Sequence, residues 1–158
     1  MPEPARPRFP GVYGIHADDD GLLEWSWAEE RLVAARNYWV TTVRPDGSPH
    51  AMPVWGLWHE GAFYFSSSPD SRKAKNLAAN PQVNVHLESG DEVVVIEGTA
   101  DHEGDEDLLR RLGEDYSHKY SFDVTFTGGR PLVVVSPRVA YAWIEQDFPK
   151  TATRFSFP

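Results

Sequence analysis

A chain of 158 residues with 41% apolar and 13% aromatic side chains has the length and apolar content of one cored domain. Its formal net charge of −9 repels a phosphate backbone and argues against nucleic-acid binding, and the lack of cysteine excludes disulfides, thiolate nucleophiles and cysteine-ligated metals. No run reaches the roughly 18 to 20 apolar residues of a membrane-spanning helix, and MPEPARPRFPG lacks the apolar stretch of a signal peptide, so a cytoplasmic protein without membrane insertion is expected.

Residues 1–24 hold four prolines in their first ten positions and then HADDDG, and they read as a terminal arm ahead of a domain over 25–158. Ser26 and Glu29 have capping-box spacing, which predicts a helix over about 27–37. NYWVTTVR has strand composition, PDG turns the chain, and SPHAMPVWGLW returns as the hairpin partner. HEG at 59–61 is a second turn, leading into the strand AFYFSSS. A short helix beyond Ser68 precedes QVNVHLE and EVVVIEGTA, two strands joined through SGD. The acidic DHEGDED opens a helix in which Leu108, Leu109, Leu112 and Tyr116 share a face, with Arg110 and Arg111 after the acids as the helix dipole favours. YSFDVTFTGG is ambiguous between loop and short strand, and PLVVVS and RVAYAWI read as the final two strands. At least six strands with short helices predict a mainly β protein, a barrel with helical attachments. The regularly spaced long helices of a doubly wound dinucleotide fold are missing.

The segment SSSPDSRKAK, residues 66–75, carries the strongest chemical signal. Ser68 followed by Pro69 is the pattern of a capping serine and a first helical residue, which predicts a helix over 69 to about 79 that starts at a strand end. Free amides and the positive end of the dipole gather at such a start and suit an anion. Arg72 is able to grip two phosphate oxygens through its planar guanidinium, Lys73 adds a point charge, and Ser66 and Ser67 add hydroxyls. The alternative is a solubilising helix face, with Ser68 spent on capping. Asp70 either repels a phosphate or turns outward and restrains Arg72.

NYWVTTVRPDGSPHAMPVW, GAFYFSSSPDSRKAKNLAANPQVNVHL and EVVVIEGTA together resemble the pyridoxamine phosphate oxidase-like superfamily of flavin or deazaflavin split barrels, over most of residues 27–145. SRKAKNLAANP is the most specific piece, matching the SRK-containing phosphate-binding helix of that family. The resemblance implies a six-stranded antiparallel split β-barrel that forms a homodimer, with a cofactor in each of two clefts near the subunit interface. It implies Ser66 and Ser67 as strand-end cofactor positions and Arg72 and Lys73 as phosphate contacts. It also implies that Pro53, Val54 and Trp55 lie in the strand whose backbone runs beside the ring. Two departures weigh against vitamin B6 oxidation: a cofactor-contacting arginine of that oxidase falls at Met52 and a lysine near Leu57. Glu92 falls near a glutamine that the oxidase places beside the ring. The ending ATRFSF resembles those of actinobacterial split-barrel reductases, some of which use F420, and would bring Arg154 to an anionic tail.

These implications favour an F420-dependent oxidoreductase that transfers hydride from reduced deazaflavin to a small organic acceptor. An FMN-dependent oxidoreductase or FMN-binding protein is the second reading, and a non-catalytic storage or sensing protein the third. Because such cofactors carry the redox chemistry in their own ring, no catalytic acid or base is assigned. The six histidines form no HExxH motif or close pair, so no metal is expected, and His50 and His59 read as polar surface residues at hairpin boundaries. No GxSxG elbow accompanies Ser48, Ser66 or Ser67, which weighs against a serine hydrolase. Trp39, Trp55, Trp58 and Trp143 divide between a ring-stacking wall and core or interface packing.

Overall fold

In the computed structural model, which describes residues 1–127 and 132–158, the long strands β7 (Glu92–His102) and β8 (Leu132–Ile144) pair antiparallel along their whole length. The other strands are β1 (Glu3–Ala5), β2 (Tyr38–Val43), β3 (Pro49–Val54), β4 (Leu57–His59), β5 (Ala62–Ser66), β6 (Gln82–His86) and β9 (Thr153–Ser156). Among the described residues four α-helices accompany them: α1 (Trp25–Ala34), α2 (Arg72–Ala79), α3 (Glu106–Tyr120) and α4 (Phe148–Thr151). Hydrogen bonding joins the strands in the order β1-β9-β8-β7-β6-β2-β3, while β5 pairs with both β8 and β4. Residues 132–135 of β8 pair with β5 and residues 139–142 pair with β9, so β8 exchanges one neighbour for another midway. That exchange splits the barrel. The nine strands among the described residues exceed the six expected because β1, β4 and β9 are three or four residues long.

Alternating residues of β2, β5, β6, β7 and β8 point into one core, among them Tyr38, Val40, Phe63, Phe65, Val85 and Ile96. Helix α1 closes it with Trp25, Ala28 and Leu32. Tyr64, between the two inward phenylalanines, faces a second cluster with Leu109, Leu112, Tyr116 and Tyr120, which seats α3 on the barrel's outside. Thus the face predicted for α3 is the buried one, with Leu108 at its half-buried margin.

Several local expectations need correction. Helix α1 starts at Trp25 with Glu24 as an extended N-cap and no side-chain cap, which leaves Ser26 inside the first turn. Glu29 accepts a hydrogen bond from the Trp58 indole at 3.0 Å instead of completing a capping box. Burial of the Trp25 ring against Trp58, Phe155 and Phe157 sets this start. SPHAMPVWGLW is not one strand: Trp55 and Gly56 separate β3 from β4, and β4 pairs with β5. PLVVVS and RVAYAWI, in contrast, are parts of the single strand β8, from Leu132 onward. The ladder runs from Gly98 opposite Pro137 to Glu97 opposite Val139, so Arg138 is the extra residue of a bulge that lets a proline stand within a long strand.

A Cβ on Gly98 would lie 2.3 Å from the carbonyl oxygen of Ser136, a backbone atom held by the ladder. Gly98→Ala is therefore expected to cost about 2 kcal/mol of stability, read as a lowered midpoint in urea unfolding. An unchanged midpoint would contradict the tight crossing at the bulge.

The hairpin of β2 and β3 is closed by Arg44 N–H to Ser48 O (2.9 Å) and Gly47 N–H to Arg44 O (2.8 Å), with Gly47 at φ +85°. This closure makes residues 50, 52 and 54 the hydrogen-bonded partners of 42, 40 and 38. Pro49 and Pro53 then take the alternate positions, where the missing N–H faces the open edge of β3 and breaks no ladder bond.

The terminal arm is tied to the domain. β1 extends the sheet beside β9, and the Arg6 guanidinium donates to the carbonyls of Asp18, Asp20, Lys150 and Ala152 at 2.6 to 3.2 Å. The Leu23 amide donates to Thr153 Oγ1 at 2.9 Å. Replacing Arg6 by Met is expected to cost about 2 kcal/mol and to speed proteolysis within the arm, since several charge-assisted bonds are lost together. Proteolysis at the unaltered rate would contradict this anchoring.

Candidate functional site

Strand β5 delivers Ser66 and Ser67 to its end, and a turn carries the chain from there to α2. The Ser71 amide donates to Ser68 O at 3.0 Å, and Ser68 Oγ accepts the Asp70 amide at 3.3 Å. The N-cap is Ser71, whose hydroxyl accepts the Ala74 amide at 3.2 Å. Ser68 and Pro69 therefore belong to the turn, and the predicted helix start moves three residues later. Arg72 and Lys73 become the first two helical residues, whose amides are among those a helix leaves without an internal partner.

The turn is braced from both sides. Ser67, buried at 9% exposure, shares a 2.7 Å hydrogen bond between its Oγ and that of Ser71. Arg72 is exposed, and its Nη1 lies 3.4 Å from Oδ1 of the fully buried Asn76. The Asn76 amide in turn donates to Thr42 Oγ1 on β2 at 3.0 Å. Lys73 is half-buried, and burial holds its ammonium below the ordinary lysine value, so a nearby anion would restore what desolvation removes. No ion pair joins Asp70 to Arg72 among the described residues.

A cleft of about 500 Å³ opens between this turn and α3, lined by Trp55, Ser66, Ser67 and Pro69 with Tyr116 and Phe122 opposite. Three of the predicted positions, Trp55, Ser66 and Ser67, thus meet in one place, and the Ser67–Ser71 bond connects it to the start of α2. Pro53 and Val54 do not line the cleft. Val54 packs against the core and Pro53 is exposed on the edge strand, where it offers a carbonyl and no N–H. A second cleft, also of about 500 Å³, lies on the other side of Ser67 and Pro69, between Ala74, Leu77 and Ala78 of α2 and the paired ends of β7 and β8.

The four tryptophans divide as follows. Trp58 is buried, Trp39 stacks on His86 at 6.4 Å, and Trp143 meets Phe148 edge-on at 5.4 Å. Trp55 alone of the four walls the cleft around the serines. Glu92 engages Arg31 with both carboxylate oxygens, at 2.7 and 3.1 Å, and this pairing lowers its pKa. Arg154 lies on β9 with its guanidinium on Ser156 Oγ. His50 is not a surface residue: it is 8% exposed beneath the β2–β3 pair, with Nδ1 unbonded. His59 is only partly exposed.

Sequence reasoning missed what holds Trp55. Its ring stacks on Tyr120 at 4.5 Å and 10° and meets Phe122 edge-on at 6.2 Å. The Arg36 guanidinium lies 5.5 Å from both the Trp55 and Tyr120 rings. The next residue, Gly56, has both backbone groups taken by α3: its amide donates to Tyr120 OH at 2.9 Å, and its carbonyl accepts Lys119 Nζ, also at 2.9 Å. Burial first and Arg36 second lower the Lys119 pKa to about 8, and burial raises that of Tyr120 to about 12. Tyr120 continues the stripe of Leu109, Leu112 and Tyr116 by one further turn, a periodicity that could have flagged it.

Among the described residues no group of three or more His, Asp or Glu side chains is placed to hold a metal ion, and no helix is long and apolar enough to cross a membrane. A search of curated proteins returned no match. Among solved structures, the conserved hypothetical protein Rv2991 of Mycobacterium tuberculosis is 24% identical, with 84% of this chain and 90% of that one covered and a TM-score of 0.70. An F420 reductase is also 24% identical, over 70% of this chain and 94% of that one, at a TM-score of 0.56. HutZ, the heme storage protein of Vibrio cholerae, is 18% identical over 73% and 90%, at a TM-score of 0.56. At these identities the likeness is one of fold. The pyridoxamine 5'-phosphate oxidase profile goes further, matching residues 28–144, from α1 through the end of β8. With a split barrel whose β5 runs through a serine-capped turn into an Arg-Lys helix start, the chain belongs to the pyridoxamine 5'-phosphate oxidase-like family of flavin-binding split barrels.

Proposed function

We propose that this protein is an F420-dependent oxidoreductase that reduces a small organic acceptor and works as a homodimer with its cofactor sites near the interface. The observation that carries this reading is the run from Ser66 and Ser67, which line a cleft walled by Trp55, through the Ser67–Ser71 hydrogen bond to the start of α2 at Arg72 and Lys73. Such a constellation suits a phosphate joined to a planar ring: the helix start and the two cations hold the charge, and the indole covers the ring. The bound cofactor would supply the hydride. Arg72 and Lys73 would bind and orient it, and Trp55 would exclude water.

Support for F420 comes from the F420 reductase that shares the fold, from Met52 and Leu57 where the oxidase has cofactor-contacting cations, and from the ATRFSF ending. FMN is the second reading, supported by the family profile and the SRKAK match. A storage or sensing role is the third, since the described residues that line the cleft offer the Tyr116 phenol and serine hydroxyls but no carboxylate, imidazole or amine as proton donor.

Anaerobic mixing of the protein with reduced F420 and a panel of organic acceptors tests the activity. Acceptor-dependent return of the oxidised F420 absorbance is the expected result. Binding without turnover across the panel would favour storage, and binding of FMN alone would overturn the deazaflavin assignment.

A further inference from the structure

We infer that Lys119 is a positioning residue for the Trp55 wall of the cleft, acting through the carbonyl of Gly56. The inference rests on the cofactor-site reading above for its effect on binding, but its structural part stands on side-chain geometry. At the junction of β3 and β4 the chain leaves the sheet ladder, and α3 supplies the missing partners. Lys119 Nζ donates to Gly56 O at 2.9 Å and to Tyr38 OH at 2.8 Å, and Tyr38 OH donates onward to Leu32 O at 2.6 Å. One ammonium thus ties the β3–β4 junction to β2 and, through Tyr38, to α1. Trp55 precedes Gly56 and stacks on Tyr120, the residue after Lys119, so a shift of the Gly56 carbonyl moves the indole against its stacking partner.

The charged and titratable groups that face Lys119 are few. Tyr38 comes from β2 and Tyr120 from α3, with the ammonium 4.9 and 5.3 Å from their rings, and Arg36 comes from the α1–β2 connection. From the junction itself only the Gly56 backbone is presented, and no carboxylate pairs with Lys119 among the described residues. Both phenols are raised by burial and stay neutral through the range in which Lys119 titrates near pH 8. Below that pH the side chain is an ammonium whose bonds to Gly56 O and Tyr38 OH are charge-assisted. Above it, the neutral amine holds the same carbonyl more weakly. The wall is therefore better ordered at pH 7 than at pH 9.5.

The test has two arms. In the ligand-free protein, the near-UV circular dichroism of Trp55 is isolated as wild type minus Trp55→Phe and followed from pH 6.5 to 10. The expected result is a transition with a midpoint near 8, absent in Lys119→Met and displaced above the range in Lys119→Arg, whose guanidinium stays charged. No transition in the wild type, or its persistence in Lys119→Met, would overturn the assignment. In the second arm, F420 and FMN affinities are compared at pH 7 and 9.5. The wild-type Kd for whichever binds is expected to rise about five-fold relative to Lys119→Arg. Equal changes in the two proteins would overturn the link from Lys119 to binding. Failure of both cofactors to bind at either pH, with the Trp55 transition intact, would overturn the cofactor reading and support the positioning role.

Discussion

Replacing Arg72 and Lys73 together by Ala is expected to raise the Kd for a phosphorylated flavin or deazaflavin by about 100-fold or more. Each charge-assisted contact to phosphate is worth about 1.5 to 3 kcal/mol, and about 1.4 kcal/mol corresponds to a tenfold change, so two lost contacts account for at least two decades. The fold should be little affected. Arg72 is exposed and Lys73 half-buried, and the cap of α2 belongs to Ser71. Riboflavin, which has the ring of FMN without its phosphate, serves as the control: its affinity should be the same for wild type and double variant. A double variant that keeps full FMN and F420 affinity would remove the α2 start from the site.

Gly56→Ala is expected to cost about 3 kcal/mol or more in stability and to weaken cofactor binding in the fraction that folds. A Cβ at this position would fall 2.4 Å from two ring atoms of Phe63 and 2.8 Å from the carbonyl of Tyr64. Phe63 is fully buried, with Tyr38 tilted against one side of its ring at 4.6 Å and Phe65 stacked on it at 5.8 Å, so its ring has nowhere to retreat. Any relief has to come from the Trp55–Gly56 backbone, which would pull the Gly56 amide and carbonyl off Tyr120 and Lys119. A urea midpoint matching the wild type would contradict this packing.

What the sequence disclosed about the fold is local. The β2–β3 hairpin was readable because Pro45, Asp46 and Gly47 carry the turn chemistry themselves, with glycine where φ turns positive. The strand β8 was misread because Pro137 imitates a chain break. Its real effect, a one-residue bulge opposite Gly98, depends on a partner strand that local composition does not reveal. The start of α2 was misplaced for a subtler reason. Ser68 and Ser71 stand three residues apart, each before a plausible first turn, and the choice falls to Ser71 because Ser67 is positioned by β5 to bond its hydroxyl.

The candidate site follows the same division. Ser66, Ser67, Arg72 and Lys73 lie within eight consecutive residues, and their role was open to reading as one motif. The other wall was not. Lys119 meets Gly56 across 63 residues, and Tyr120 reaches the Arg36 carbonyl across 84. Neither pairing leaves a local pattern, because what selects these residues is the unmet hydrogen bonding of a strand junction on another element. Prolines at 49 and 53 lie between these cases: they mark β3 as an edge strand, and only the register shows that their carbonyls face the open side.

The central claim, that a phosphorylated deazaflavin or flavin seats its phosphate at the start of α2 and its ring against Trp55, is tested most directly by equilibrium dialysis. Purified protein is dialysed against F420, FMN, FAD and riboflavin in competition, and the bound fraction is read by absorbance and mass spectrometry. The account predicts that F420 is retained preferentially and that riboflavin binds at least about 100-fold more weakly than FMN. Retention of none of the phosphorylated cofactors, or equal retention of riboflavin and FMN, would contradict it.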